Sequence, residues 1–395
     1  MTADDFGIIK NTRKAAPPSA SHFSAAAADK VRSFHESFSE YAPTPLRSLA
    51  SLSEALDVGE ILVKDESFRF GLNAFKVLGG SYAVCCVLCG ILGLDKENVS
   101  FPEIKSALRG KSGITLITAT DGNHGRGVAW AANRLGCGCV VYLPKGTAPE
   151  RLENILKLGA DASITPLSYD DAVRKAAADA KANGWYLIQD TSFEGYEEIP
   201  LRVMQGYTTM GAEISEALST APTHIFLQAG VGSMAGALTA YFRNVWGENP
   251  LITVVEPSSA NCLYLTALAD DGVLHAVEGE MNTIMAGLAC GEPCPLAWDI
   301  LGSEADRFVT IPDSAAACGM RVLGNPCFPD EKIISGESGA STLGFVYSLC
   351  KSGELRNIFG IDSQSRILCI STEGDTDKAN YRRIVWDGAH PGVKK

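Results

Sequence analysis

Short apolar runs divided by helix-length segments recur through most of this chain, and that alternation constrains its fold more than any other feature. The runs 114-ITLITAT-120, 138-GCVVYLP-144, 161-DASITPL-167 and 185-WYLIQD-190 read as strands, with helices beginning near His124, Pro149 and Tyr169 between them. A second series follows. A helix covers about 201–218, the strand 224-HIFLQA-229 runs into a glycine-rich turn and helix, and 251-LITVVE-256 and 367-ILCISTEG-374 complete the set. Nearer the start, 60-EILVKDES-67 is a strand candidate and a helix runs from Phe75 through Cys89. The stretch 23–39 reads as an amphipathic helix with Ser24 as its N-cap. Continuous apolar strands separated by helices build a parallel sheet covered on both faces. The fold class predicted is therefore α/β, with two parallel-sheet units, each a three-layer αβα sandwich, packed around a cleft.

Composition sets the outer limits. With 395 residues, 46% hydrophobic and 20% charged, the chain is long and apolar enough for two cored domains. No apolar run approaches the roughly 20 residues that span a bilayer, so no membrane role is expected. The stretch 82-YAVCCVLCGILGL-94 is shorter and reads as a buried helix. A net charge of −12 argues against nucleic acid as a partner and leaves room for one small anion. The N-terminus carries Asp4 and Asp5 and lacks an apolar signal region, and 15-AAPPSASHFSAAAA-28 is low in complexity, so the expected location is the cytoplasm.

Twelve cysteines form no framework by spacing. Cys85, Cys86 and Cys89 sit in an apolar helical pattern without a second pair at zinc-site distance, so no metal is expected. Cys262 and Cys290 each flank a motif, which makes them candidates for a disulfide or a close thiol pair.

Three segments carry chemistry. In 229-AGVGSMAGA-237, Gly230, Gly232 and Gly236 let the backbone approach an anion, and the helix that follows favours negative charge at its N-terminus. Read alone, this turn also suits a Rossmann-type NAD-dependent oxidoreductase, with Glu256 as the acid at the end of the next strand. The run 117-ITATDGNHGRGVAWAA-132 sets a polar glycine-rich loop between strand and helix, offering N–H groups and the Asn123 amide to a small carboxylate or ring oxygen. In 73-NAFKVLGGSYA-83, Lys76 opens a helix within an apolar run, a setting that lowers an amine pKa and readies it as a nucleophile.

Together, 73-NAFKVLGG-80, 120-TDGNHGRG-127 and 230-GVGSMAG-236 resemble the fold-type II, tryptophan synthase β-like pyridoxal-phosphate (PLP) enzymes, which include threonine dehydratases and cysteine synthases. The resemblance runs from about 44 to 377. Four segments are similar to the diaminopropionate-cleaving ammonia-lyase branch of that family: Asp121 within 120-TDGNH-124, 189-QDTSFEGYEEIP-200, 283-TIMAGLACGEP-293 and 371-STEGDTD-377. Phe193 stands where that branch is expected to carry tryptophan.

The resemblance implies a large PLP domain at 1–87 plus 204–395, a small domain at 88–203, and a homodimer. It implies that Lys76 holds PLP as a Schiff base. Gly230, Val231, Gly232, Ser233, Met234 and Gly236 cradle the phosphate, Asn123 bonds the ring hydroxyl oxygen, and Thr372 sits beside the pyridine nitrogen. Thr120, Asp121, Gly122 and His124 contact the small amino-acid substrate, His124 as an orienting group. Asp121 and Asp190 are the candidate bases, Asp190 for the L-isomer and Asp121 for the D-isomer, in an α,β-elimination through aminoacrylate to pyruvate and two ammonia. A serine or threonine dehydratase is the nearest alternative, and Asp121 weighs against it.

Overall fold

The computed structural model describes residues 1, 3–12, 18–120 and 122–392. Among the described residues eleven strands occur: β1 (Gly7–Lys10), β2 (Leu46–Ser48), β3 (Glu60–Asp65), β4 (Thr115–Ala119), β5 (Gly138–Leu143), β6 (Asp161–Ile164), β7 (Tyr186–Leu187), β8 (His224–Gln228), β9 (Leu251–Pro257), β10 (Arg307–Ile311) and β11 (Arg366–Ser371). They make one seven-stranded sheet, in the order β1-β10-β9-β8-β11-β3-β2, and one four-stranded sheet, β6-β5-β4-β7. All pairings are parallel except those of the two edge strands, β1 on β10 and β2 on β3.

The alternating side chains of the large sheet feed two separate cores. Leu62, Ile225, Leu227, Leu368 and Ile370 face one, which continues into the small sheet through Leu116 and Val141. Their neighbours Ile61, Val63, Phe226, Ile367 and Cys369 face the other, against Phe345 and Phe359. A sheet covered on both faces favours continuous apolar runs, which β8 carries at 225–227 and β11 at 367–370.

The Val77–Leu92 helix is apolar all round because it is buried all round, between the Glu198–Ala217 and Asn123–Leu135 helices. Its close approach to the second of these depends on Gly127: a Cβ there would meet the Val77 Cα at 2.7 Å. That packing sets the residue before Val77, Lys76, beside the start of the Asn123 helix.

One expected element differs. The strand predicted at 185–190 pairs through its backbone only as far as Ile188 N–H to Ile117 O. Beyond it the Gln189 side chain takes over the pairing, accepting from Ala119 N–H and donating to Ala119 O, and the main chain turns away into the cleft. The edge strands β1 and β2 and the interior β10 have no counterpart in the sequence reading. Ser24 caps the first helix as expected, its side chain accepting from Ala27 N–H at 3.3 Å.

Candidate functional site

The cavity opens where strands of both sheets end. β4 and β7 deliver Asn123 and Asp190 from the small sheet; β8 and β11 deliver 228–234 and Thr372 from the large one. Ligands collect at such carboxyl ends in open α/β sheets.

Lys76 is pinned from behind. Phe75 N–H donates to Thr372 O at 3.0 Å, Gly374 N–H donates to Asn73 O at 3.0 Å, and Ala74 bridges Glu373. The Lys76 Nζ then reaches across the cleft to Asp190 Oδ2 at 3.0 Å. Asp190 is 4% exposed and held on every side. Its Oδ1 accepts from the Tyr169 hydroxyl at 2.9 Å and Gln189 Nε2 at 3.2 Å, and its carbonyl accepts from Ser233 Oγ at 2.6 Å. Burial alone would raise its pKa; the Lys76 ammonium, then His124 and the hydrogen bonds, outweigh burial and hold Asp190 well below the ordinary carboxylate range. Asp190 is thus an ionised carboxylate aimed at the amine.

Opposite stands the glycine turn, with Gly230, Val231, Gly232, Ser233 and Met234 lining the cavity. Gly232 has φ +102°, a conformation that side chains rarely adopt, and it places the free N–H groups of the Ser233–Trp246 helix toward the pocket. Gly236 has a different use. It lies a turn inside the helix, where a Cβ would meet Ala297 Cα at 3.2 Å, so it serves helix packing and does not line the cavity.

The Asn123 loop divides likewise. Asn123 lines the cavity, and its Nδ2 donates to Glu373 Oε2 at 2.5 Å. Thr120 and Gly122 shape the loop: Thr120 Oγ1 accepts from Gly122 N–H at 2.9 Å and Gly125 N–H at 3.0 Å. His124 is buried, with Nε2 2.8 Å from Ile188 O, and ties the helix start to the end of β7, in keeping with an orienting role. Asp121 lies outside the described residues.

The residues present fit PLP. A helix N-terminus behind a glycine turn suits the phosphate, and Lys76 suits the aldehyde carbon. Two buried acceptors that line the pocket, Gln228 Oε1 and Glu373 Oε1, have no partner among the described residues, as a site shaped for a polar ligand requires. The Thr372 hydroxyl, held by Gln228 Nε2 at 3.2 Å, is a neutral group for the ring nitrogen.

Of the two alternatives for Cys262 and Cys290, the structure shows the close thiol pair: both are free thiols. They stand on either side of Gly230, close enough to influence one another, and burial pushes the Cys262 thiol pKa well up. Glu256, the acid of the oxidoreductase reading, faces no ligand. It is fully buried and accepts from Leu263 and Tyr264 N–H at 3.0 and 2.7 Å, capping the next helix. Three site residues escape the sequence reading: Tyr169, Gln228 and Glu373. Each follows a helix cap or ends an apolar strand, but only the contact across the cleft marks it.

A model of the pyridoxal-phosphate-dependent enzyme family matches residues 38–373. The diaminopropionate ammonia-lyase of Escherichia coli is 48% identical over 375 residues, covering 93% of each chain. That of Salmonella typhimurium is 50% identical, covering 91% of this chain and 92% of its own. The crystal structure of the holo Escherichia coli enzyme superposes with a TM-score of 0.92 at 45% identity over 98% of each chain. A structure of that enzyme with an aminoacrylate-PLP azomethine reaction intermediate gives 0.90 at 45% identity over 98% of each chain. This chain belongs to the pyridoxal-phosphate-dependent enzymes and, within them, to the diaminopropionate ammonia-lyases.

Proposed function

We propose that this protein eliminates ammonia from 2,3-diaminopropionate of either hand, yielding pyruvate and two ammonia by way of aminoacrylate. The observation that carries the reading is the Lys76–Asp190 pair at 3.0 Å, an amine and an ionised carboxylate facing one another across the cleft. When bound, PLP supplies the electron sink that makes the substrate α-proton acidic. The chain supplies everything else. Lys76 holds the cofactor, and the turn from Gly230 to Met234 takes the phosphate on backbone N–H groups. Asn123 Nδ2 carries two protons; one goes to Glu373, leaving the second for the ring oxygen. Thr372 presents its hydroxyl to the ring nitrogen.

Asp190 removes the α-proton of the L-isomer, kept ionised by Lys76 and Tyr169. Asp121 takes that of the D-isomer, and Lys76 returns protons. Thr120, Gly122 and His124 hold the substrate loop. The segment 88–203 works as the smaller domain against 1–87 plus 204–395, a division supported by the four-stranded sheet lying wholly inside it.

Cytoplasmic location is supported by twelve free thiols, the state of a reducing compartment; no helix among the described residues is long and apolar enough to cross a membrane. A homodimer rests on the family resemblance, and light scattering tests it.

The deciding experiment supplies PLP-loaded protein with L-diaminopropionate, D-diaminopropionate and L-serine and follows pyruvate. Fast release from both isomers and little from serine is expected. Release chiefly from serine would overturn the assignment in favour of a dehydratase. Asp121→Asn is expected to cut the D-isomer rate more than the L-isomer rate; equal losses would overturn the division between the two bases.

A further inference from the structure

Among the described residues Glu373 is the one carboxylate lining the cavity besides Asp190, and the proposed reaction gives it no chemical step. It is 1% exposed. Its Oε2 is spoken for, accepting from Asn123 Nδ2 at 2.5 Å and from Thr376 Oγ1 at 3.2 Å. Its Oε1 is buried and has no hydrogen-bond partner among the described residues. A buried carboxylate oxygen without a donor costs roughly 1–3 kcal/mol or more, so a native site supplies one when its ligand arrives.

Behind it sits a second acid. Glu337, 3% exposed, takes the Asn380 amide and lies close enough that Glu373 raises its pKa, after burial, to about 7, against the pull of Arg151. Two arginines share this wall: Arg151 acts on Glu337, and the partly buried Arg126 feels the charge of Glu373.

The ligands narrow the donor to one group. The phosphate and ring oxygen of PLP are acceptors, as is the substrate carboxylate, and each would be repelled. The ring nitrogen is met by Thr372 and the substrate α-amine joins the cofactor. What remains is the second ammonium of a diamino acid. Resting on the proposed function, we infer that Glu373 Oε1, backed by Glu337, binds the β-ammonium of the substrate and selects a nitrogen leaving group over a hydroxyl.

The chemistry balances without a further acid. The Cα–H pair becomes the Cα=Cβ bond as the proton passes to the base. The Cβ–N pair then leaves with a nitrogen that carries one positive charge, so it departs as neutral ammonia. Glu373 keeps that nitrogen protonated until the bond breaks. A hydroxyl has no charge to offer the carboxylate and needs a proton to leave, and a site built for a charged donor rejects the analogue that lacks it.

The test compares PLP-loaded wild type with Glu373→Gln on L-diaminopropionate and on β-chloro-L-alanine, whose chloride leaving group carries no N–H. The glutamine keeps an acceptor for Asn123. The ratio of kcat/KM for diaminopropionate over chloroalanine is expected to fall about a hundredfold, while PLP titration and the bound cofactor's absorption show the site still loaded. Equal losses on both substrates, with weakened PLP, would overturn the inference and place Glu373 on the cofactor ring. Should Glu373→Gln not retain PLP, Glu337→Gln, which leaves the Asn123 bond alone, is expected to lower the same ratio several-fold; an unmoved ratio overturns the inference. A wild type inert toward diaminopropionate would overturn the functional reading as well, a result separate from an active wild type whose ratio ignores both substitutions.

Discussion

Lowering the pH from 7 to 5 is expected to cost this protein about 2 kcal/mol through a single side chain, His35. The ring is 0% exposed, with Nδ1 2.7 Å from Thr209 Oγ1, Nε2 3.0 Å from Leu78 O and Ser81 Oγ at 3.4 Å. Burial first, and then the Arg69 cation, push its pKa down from 6.5 to about 3; the Leu78 carbonyl and Glu213 pull weakly the other way. The sign follows from the proton count. Above pH 6.5 neither state binds the proton, and the contribution of His35 to stability is whole. Below it the unfolded chain takes up a proton that the folded one refuses, and stability falls by roughly 1.36 kcal/mol per pH unit until about pH 3. Urea unfolding of wild type and His35→Gln at pH 7 and pH 5 isolates the effect. The variant carries a fixed penalty but should lose about 2 kcal/mol less between the two pH values than wild type does. Equal losses in the two proteins would refute the reasoning. The consequence reaches the site, because Leu78 lies two residues beyond Lys76 in the helix that Lys76 opens. Acid release of PLP should therefore follow the same window.

Gly232→Ala combines a backbone at φ +102° with Cβ contacts of 3.2 Å to Ala297 and Leu263. A loss of roughly 2–4 kcal/mol is expected, together with at least a tenfold weaker PLP affinity by fluorescence titration of the apoprotein; affinity equal to wild type would show that the turn does not hold the phosphate. Glu213→Gln strikes a buried network in which Glu213 meets Lys64 at 2.6 Å and Arg69 at 2.7 Å, with Glu66 as the second anion. Burial would raise the Glu213 pKa, but Arg69 and Lys64 hold it at about 2, so its stabilisation is present above 4.5 and lost as pH falls toward 2. The substitution leaves two buried cations facing one anion, and roughly 3–5 kcal/mol should disappear from the unfolding free energy at pH 7. A loss under 1 kcal/mol would mean that the network relaxes.

What the sequence discloses depends on how locally each feature is enforced. β8, β9 and β11 are legible because burial on both faces favours runs of consecutive apolar residues, a preference written in consecutive letters. β1 is not, since its four residues owe their pairing to a strand some 300 positions away, Gly7 opposite Thr310. The site divides in the same way. Lys76 and the turn at Gly230 and Gly232 stand out because an amine in an apolar run and a glycine at a strand end are unusual in themselves.

Glu373 and Tyr169 are ordinary residues made functional by what faces them: Asn123 across 250 positions for one, Asp190 across 21 for the other. The same distinction sets Glu373 apart from Glu256, the acid of the oxidoreductase alternative. Glu256 ends a strand just as Glu373 follows one, and by sequence either is a ligand for something polar. The fold separates them. Glu256 finds both of its donors within eight residues, on the N-terminus of the next helix, and is satisfied without a ligand. Glu373 is left one donor short inside the cavity. Among buried carboxylates at strand ends, the functional one is therefore marked by what its own chain fails to give it.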